Sequence, residues 1–157
     1  MKRAFILLIV FMLLLSGCSP SRTVKDEAIK DFNKELKQSF EEIKKIKTYI
    51  IRPSLNWDIY VSDTENMDDI FYYVVDYLKT SNIVEDELRD KYTGVYFISR
   101  ITITVIKKKT RRTYQGYYYK RGTTIYADNE SANVVDNFTT WYRWDDDTWI
   151  YNYGETE

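Results

Sequence analysis

Three of the four tryptophans of this 157-residue chain lie close together near its C-terminal end, beside three consecutive aspartates. Indole rings stack on sugar rings, and carboxylates accept hydrogen bonds from hydroxyl groups. This mixture is typical of a surface that binds a glycan or a peptide. The candidate ligand-binding residues are therefore Trp141, Trp144, Asp145, Asp147 and Trp149.

The spacing of these tryptophans argues against one flat platform. Side chains alternate between the two faces of a strand, so Trp141 and Trp144, three residues apart, are expected to point to opposite sides of a sheet. In the alternative interpretation, some of the rings close the hydrophobic core and others cap a sheet edge.

The aspartates by themselves do not predict a metal site or a catalytic pair. Calcium takes about six to eight oxygen ligands from a spaced array, which consecutive aspartates supply poorly. Glycoside hydrolysis needs two carboxylates at a set separation, one of them with a raised pKa in a pocket. We interpret residues 145–147 as the solvated tip of a hairpin, and we assign no catalytic residue, metal or cofactor.

The residue types that are missing exclude several enzyme classes. The chain has no histidine, and Cys18 is its single cysteine. Catalysis by Ser-His-Asp or Cys-His groups and zinc binding by histidine are therefore excluded. A disulfide within the chain is impossible. The glycines are isolated from one another, so there is no glycine-rich phosphate loop. The sequence favours a non-enzymatic protein without deciding the question.

A basic run at residues 107–112 is the second charged feature. Its members are Lys107, Lys108, Lys109, Arg111 and Arg112. Such a run can contact anionic lipid or teichoic acid. It can equally protect the edge of a hairpin from pairing with another chain, and we favour this interpretation.

The N-terminal segment has the pattern of an export signal. A basic start, Lys2-Arg3, precedes an apolar run from Ala4 to Leu15, which is shorter than the roughly 20 residues of a membrane span. The residues that follow are Leu15-Ser16-Gly17-Cys18. This stretch resembles the bacterial lipoprotein signal peptide with its lipobox.

The resemblance implies cleavage before Cys18 and attachment of lipid to its thiol. Two or three acyl chains would hold the protein on a membrane, because each buried CH₂ contributes about 0.8 kcal/mol. The expected location is the extracytoplasmic face of a cell membrane. Residues 1–17 are then the signal peptide, residues 18–23 the lipidated cysteine with a short tether, and residues 24–157 a single domain.

Without the two basic residues of the leader, the mature chain carries 21 basic and 24 acidic side chains, a net charge of −3. This balance disfavours a nucleic-acid-binding protein. The mature chain of about 140 residues has the size of one domain.

The hydrophobic spacing changes along the mature chain. A helical period predicts one long amphipathic helix over residues 24–47, with Thr23 as its N-cap. Its apolar stripe is expected to pack on the domain's own sheet, with a coiled-coil dimer as the alternative. A period of two predicts a strand over residues 48–62, bent or bulged near Pro53. A second helix is predicted over residues 68–81, and a weaker helical segment over residues 84–92.

The second half of the chain is predicted to be mostly strands. The segments are residues 95–106, 114–120, 123–127, 137–144 and 148–153. Residues 95–106 and 114–120 are expected to form a hairpin, and the last two segments another. No alternation of strands and helices is present, so we predict an α+β domain: a long N-terminal helix and further helices packed on one face of an antiparallel sheet.

These features together predict a membrane-anchored lipoprotein that binds an envelope protein or another envelope component without catalysing a reaction. The alternative is a module that binds or hydrolyses cell-wall glycan through the C-terminal cluster of tryptophans and aspartates. A third hypothesis is an assembly role, in which the first helix pairs with a helix of a partner.

Overall fold

The computed structural model describes residues 21–62, 65–81, 83, 84, 88, 91, 98–119, 124–125, 133–134, 137–138, 140–146 and 148–153. The predictions for the signal peptide, Cys18 and Asp147 concern residues outside these ranges. The elements are β1 (Arg22–Thr23), α1 (Glu27–Ser39), β2 (Ile43–Ile51), β3 (Ser54–Val61), α2 (Met67–Ser81), β4 (Arg100–Lys107), β5 (Thr110–Tyr117), β6 (Thr124–Ile125), β7 (Asn133–Val134), β8 (Trp141–Asp145) and β9 (Thr148–Tyr153).

The main sheet has seven strands in the order β1-β2-β3-β4-β5-β8-β9, and β6 pairs with β7 separately. The prediction of an antiparallel sheet is wrong, because β3 and β4 run parallel in the middle of it. Parallel neighbours need a crossover connection, and α2 lies within that connection. The sheet is therefore mixed.

The prediction of one long N-terminal helix over residues 24–47 is also wrong. The observed α1 has 13 residues and ends at Ser39. Asp26 is its N-cap, where its side chain accepts the Ala28 N–H at 3.1 Å. Residues 43–51 form β2, which pairs with β3 along its length. Ile43 and Ile46 fit a helical spacing in the sequence, but the pairing with β3 determines the structure there.

Residues 48–62 do not form one bent strand as predicted. The chain reverses at Arg52-Pro53, and Ile51 pairs with Ser54. Pro53 lies in the tight turn of this hairpin. The second helix, in contrast, is observed close to its predicted bounds. The hairpins β4–β5 and β8–β9 are also confirmed, although both begin later or end earlier than the sequence predicts.

The two helices pack on one side of the sheet, which we call the helix face. α1 lies over β2 and β3, where Asn33 accepts the Trp57 indole N–H at 3.3 Å and donates to Thr48 at 3.1 Å. α2 lies over β5 and β8, where Phe71 stacks on Tyr114 with ring centroids 4.0 Å apart. The apolar stripe of α1 is therefore buried within its own domain.

The opposite side of the sheet, which we call the open face, has no buried side chain on the central strands β3 and β4; all of them are partly exposed there. The alternation is regular in both strands, since every second residue is buried on the helix face. Among the described residues, no helix is long and apolar enough to cross a membrane. In the part of the chain that the structure describes, no helix packs on the open face of these two strands.

Candidate functional site

The structure divides the C-terminal tryptophans between the two faces. Trp141 is 1% exposed and meets the Phe71 ring edge-on, with centroids 5.0 Å apart. Its indole also lies against Gly116, where an added Cβ would be 3.2 Å from the ring. Trp144 borders a cavity on the open face, and Trp149 is 53% exposed. One tryptophan is thus core, and the other two are surface residues.

Asp145 and Asp146 at the hairpin tip both form hydrogen bonds within the protein, so the interpretation of them as simply solvated is wrong. Asp146 has a φ of 53°, a conformation that aspartate tolerates better than most residues. Its carboxylate accepts the Arg111 N–H at 2.8 Å, and its own N–H donates to the Arg111 carbonyl at 2.8 Å. Asp145 points to the helix face.

Asp145 belongs to a charged cluster that fixes α2 to the sheet. Arg143 donates to its two carboxylate oxygens at 2.7 and 2.5 Å. At the start of α2, Asp68 accepts hydrogen bonds from Arg112 at 3.1 Å and from the Tyr114 hydroxyl. Arg143 also lies 3.6 Å from Asp68. We call these five residues the helix-face cluster.

Within the helix-face cluster, Arg143 and Asp145 stabilise each other's charged forms. The hydrogen bond from Arg143 lowers the pKa of the Asp145 carboxyl below its usual value. The same bond raises the pKa of Arg143. These shifts follow from paired opposite charges, so we assign the cluster a structural role.

The open face carries a cavity of about 630 Å³. Four of its lining residues are directly opposite one another across β3, β4, β5 and β8, and Trp149 on β9 continues the same line. We call this line the open-face row: Asp58, Thr104, Thr113, Trp144 and Trp149. At about 4.8 Å between strands, the row is about 19 Å long. Tyr49, Arg111 and Asp146 also line the cavity.

Asp58 is the carboxylate at one end of the open-face row. The Tyr49 hydroxyl donates to both of its oxygens at 3.2 Å. Burial raises the pKa of Asp58, while the hydrogen bond from Tyr49 and the charge of Lys47 oppose the shift. Burial and the nearby Asp58 also raise the pKa of Tyr49 to about 12. A carboxyl group with a perturbed pKa in a cleft is a candidate for binding or chemistry.

Aromatic rings extend the surface beside Trp144 toward the other end of the sheet. The Tyr142 ring lies 6.5 Å from the Trp144 ring, and the Tyr117 ring lies 6.1 Å from the Tyr142 ring. Next to these rings, the hydroxyl oxygens of Thr104 and Thr113 lie 3.4 Å apart. The open face therefore combines flat rings with hydroxyl groups and the carboxylates of Asp58 and Asp146.

Sequence reasoning identified only the tryptophan end of this surface. Tyr49, Asp58, Thr104 and Thr113 come from four other strands, and nothing in their local sequence marks them as a group. They share only one feature in the sequence, which is that each lies at a position of its strand that alternates with the buried apolar residues. Among the described residues, no group of three or more carboxylate, cysteine or histidine side chains is arranged to hold a metal ion.

In comparisons with known proteins, no protein-family model, no curated protein and no solved structure matches this chain.

Proposed function

We propose that the protein is a lipid-anchored module on the extracytoplasmic face of a cell membrane, and that it binds cell-wall glycan on the open face of its sheet without catalysing a reaction. The resemblance of the segment ending at Cys18 to a lipoprotein signal supports the anchor. The open-face row supports the binding function, and it is the single observation on which that function depends.

The chemistry of the open-face row fits a sugar chain better than an apolar peptide. Trp144 and Trp149 offer ring faces that can stack on the C–H side of a pyranose. Thr104, Thr113 and Asp58 offer oxygens that can bond to hydroxyl groups along the same line. A long, shallow surface with hydrogen-bonding groups next to rings suits an extended polar polymer.

Glycoside hydrolysis is a second candidate, and one observation favours it. Asp58 and Asp146 line the same cavity, and the raised pKa of Asp58 is the property that a general acid needs. Binding without hydrolysis remains our proposal, because the Asp146 carboxylate is already bonded to the Arg111 backbone.

The test is co-sedimentation of the mature, lipidated chain in detergent with purified cell wall. Trp144→Ala is expected to weaken retention about tenfold, the effect of losing about 1.4 kcal/mol of ring stacking. The matched control is Tyr72→Ala, because Tyr72 is an exposed ring on α2, away from the open face. That variant is expected to be retained like the wild type.

Equal retention of wild type and Trp144→Ala would contradict the glycan proposal. Retention that depends on a protein in the pellet, and survives digestion of the glycan, would indicate an envelope protein as the ligand instead. Release of soluble sugar fragments by the wild type but not by Asp58→Asn would identify the second candidate, hydrolysis.

A further inference from the structure

The end of the sheet at which the described chain begins carries a distinct rim. Arg22 on β1 is opposite Ile50 on β2, so Ser21 lies level with Ile51. From Ile51, the cross-strand pairs continue through Ser54, Arg100 and Tyr117. We call the exposed side chains at this end the tether rim: Arg22, Ile51, Arg52, Tyr117 and Tyr119, with the partly exposed Arg100.

Large apolar and aromatic side chains are exposed at the tether rim. Ile51 is 41% exposed, Tyr117 48% and Tyr119 43%. The Asn137 side chain accepts a hydrogen bond from the Tyr119 N–H at 2.9 Å and donates one to the Tyr119 carbonyl at 2.8 Å. These two bonds fix Tyr119 just beyond the end of β5. Tyrosine is enriched where proteins meet the interface between lipid and water, since one end of its ring is apolar and the other polar.

The charge of the tether rim is positive. It contains three arginines. The described segments at this end are residues 21–25, 50–56, 99–104, 115–119, 137–138, 140–141 and 152–153, and none of them contains an acidic residue. The Arg100 guanidinium lies 5.9 Å from the centre of the Tyr117 ring, so cationic and aromatic groups are mixed. This positive charge is local, because the whole chain has a net charge of −1.

The length of chain before Ser21 determines which surface the tether rim meets. Three peptide units separate Cys18 from Ser21, and they span at most about 11 Å. A lipid on Cys18 would therefore keep this end of the sheet within about 11 Å of the headgroups.

We propose that the tether rim docks on the anionic lipid surface that holds the anchor, with its tyrosines and Ile51 among the headgroups and its arginines on lipid phosphates. This inference rests on the proposed lipid anchor. It also orients the open face. Asp58 is four residues beyond Ser54 along β3, or about 13 Å. Docking thus points the strands away from the bilayer and places the cavity at the end toward the cell wall.

The experiment places a fluorophore at single new cysteines in the full lipidated chain, reconstituted into vesicles that contain phosphatidylglycerol. The lipidated Cys18 is a thioether and does not react, so only the new thiol is labelled. Ile51→Cys and Tyr119→Cys report on the tether rim. Lys109→Cys is the matched control, because Lys109 is exposed at the β4–β5 turn, at the opposite end of the sheet.

Quenching by headgroup-labelled lipid is expected to be several-fold stronger at positions 51 and 119 than at position 109. Adding Arg22→Gln and Arg52→Gln is expected to reduce that quenching in anionic vesicles. Equal quenching at the three positions, or stronger quenching at position 109, would overturn the proposed docking. Two labelled rim positions guard against a local disturbance at either one.

The mass of the reconstituted protein shows whether Cys18 carries lipid, independently of whether the tether rim docks. A mass without the diacylglyceryl group would overturn the anchor itself, and with it the argument for docking. The expected mass with no difference in quenching would overturn only the docking. Retention on cell wall is measured independently, and Trp144 is not part of the tether rim.

Discussion

The helix face and the open face of the sheet shift the pKa values of their aspartates in opposite directions. On the helix face, Arg143 forms two short hydrogen bonds to Asp145, and the pKa of Asp145 is lowered. On the open face, Asp58 accepts only from the neutral Tyr49 hydroxyl among the described hydrogen bonds, and burial raises its pKa. The first arrangement pairs opposite charges, while the second leaves a partly desolvated carboxyl group on the open face.

The tryptophans show the same division. Trp141 lies under Phe71 in the core, whereas Trp144, three residues later on the same strand, borders the cavity. One short segment therefore supplies both the packing of the helix face and the ring surface of the open face.

The largest expected effect separates the two tryptophans. Trp141→Ala removes a buried ring and is expected to reduce the free energy of unfolding by about 3–5 kcal/mol. Trp144→Ala is expected to cost less than about 1 kcal/mol, because its ring is partly exposed. Urea unfolding of both variants measures the difference. Similar losses in the two would mean that Trp144 is also a core residue.

A smaller effect is expected from the helix-face cluster. Arg143 is 14% exposed at its side chain, and Arg143→Met removes its two hydrogen bonds to Asp145 and its ion pair with Asp68. We expect a loss of about 2 kcal/mol at neutral pH. Tyr72→Phe, which keeps the ring on α2, is the control. A loss below about 0.5 kcal/mol would contradict the role of this cluster in fixing α2.

The loss on Arg143→Met should depend on pH with a definite sign. Since the folded pKa of Asp145 is lowered, its contribution to stability is complete above its unfolded pKa and is lost as the pH falls through its folded pKa. The difference between wild type and variant should therefore shrink in acid. Urea midpoints across the acidic range measure it, and a difference that grows in acid would refute the pairing.

The smallest effect is expected from Asp58→Asn on the open face, and it has the opposite sign. The folded pKa of Asp58 is raised, so its ionised form weakens the fold above that pKa and has no such effect below its unfolded pKa. The variant should be slightly more stable than wild type at neutral pH and equal to it in acid. A destabilised variant at neutral pH would indicate that the carboxylate is needed for structure.

Much of the element pattern followed from periodicity alone. The α2 helix was predictable because its apolar positions repeat at helical spacing and acidic residues occupy its first turn. The alternation of residues 55–61 and 101–105 correctly separated buried from exposed side chains. The end of α1 was not predictable, because Ile43 and Ile46 continue the helical spacing. A shift of register between Ile43 and Lys45 lets both face the helices from β2 despite their odd separation.

The candidate site was predictable only in part. Alternation placed Trp141 and Trp144 on opposite faces, as the structure has them. The partners of Trp144 could not be found, because Asp58, Thr104 and Thr113 become its neighbours only when β3, β4, β5 and β8 align in register. Cross-strand register is a long-range property that no local sequence window contains.

The sequence by itself determined the chemistry that is excluded, the alternation that sorts side chains onto two faces, and the lipoprotein-like leader that predicts an anchor. These are properties of residue type and of spacing along the chain. Only the tertiary structure decided that the sheet is mixed and that Asp145 is paired with Arg143 while Asp58 is partly desolvated on the open face. It also decided that the tether rim lies about four residues along the strands from the cavity. Those outcomes depend on which distant strands pair, and pairing is selected by burial of the whole core rather than by any one segment.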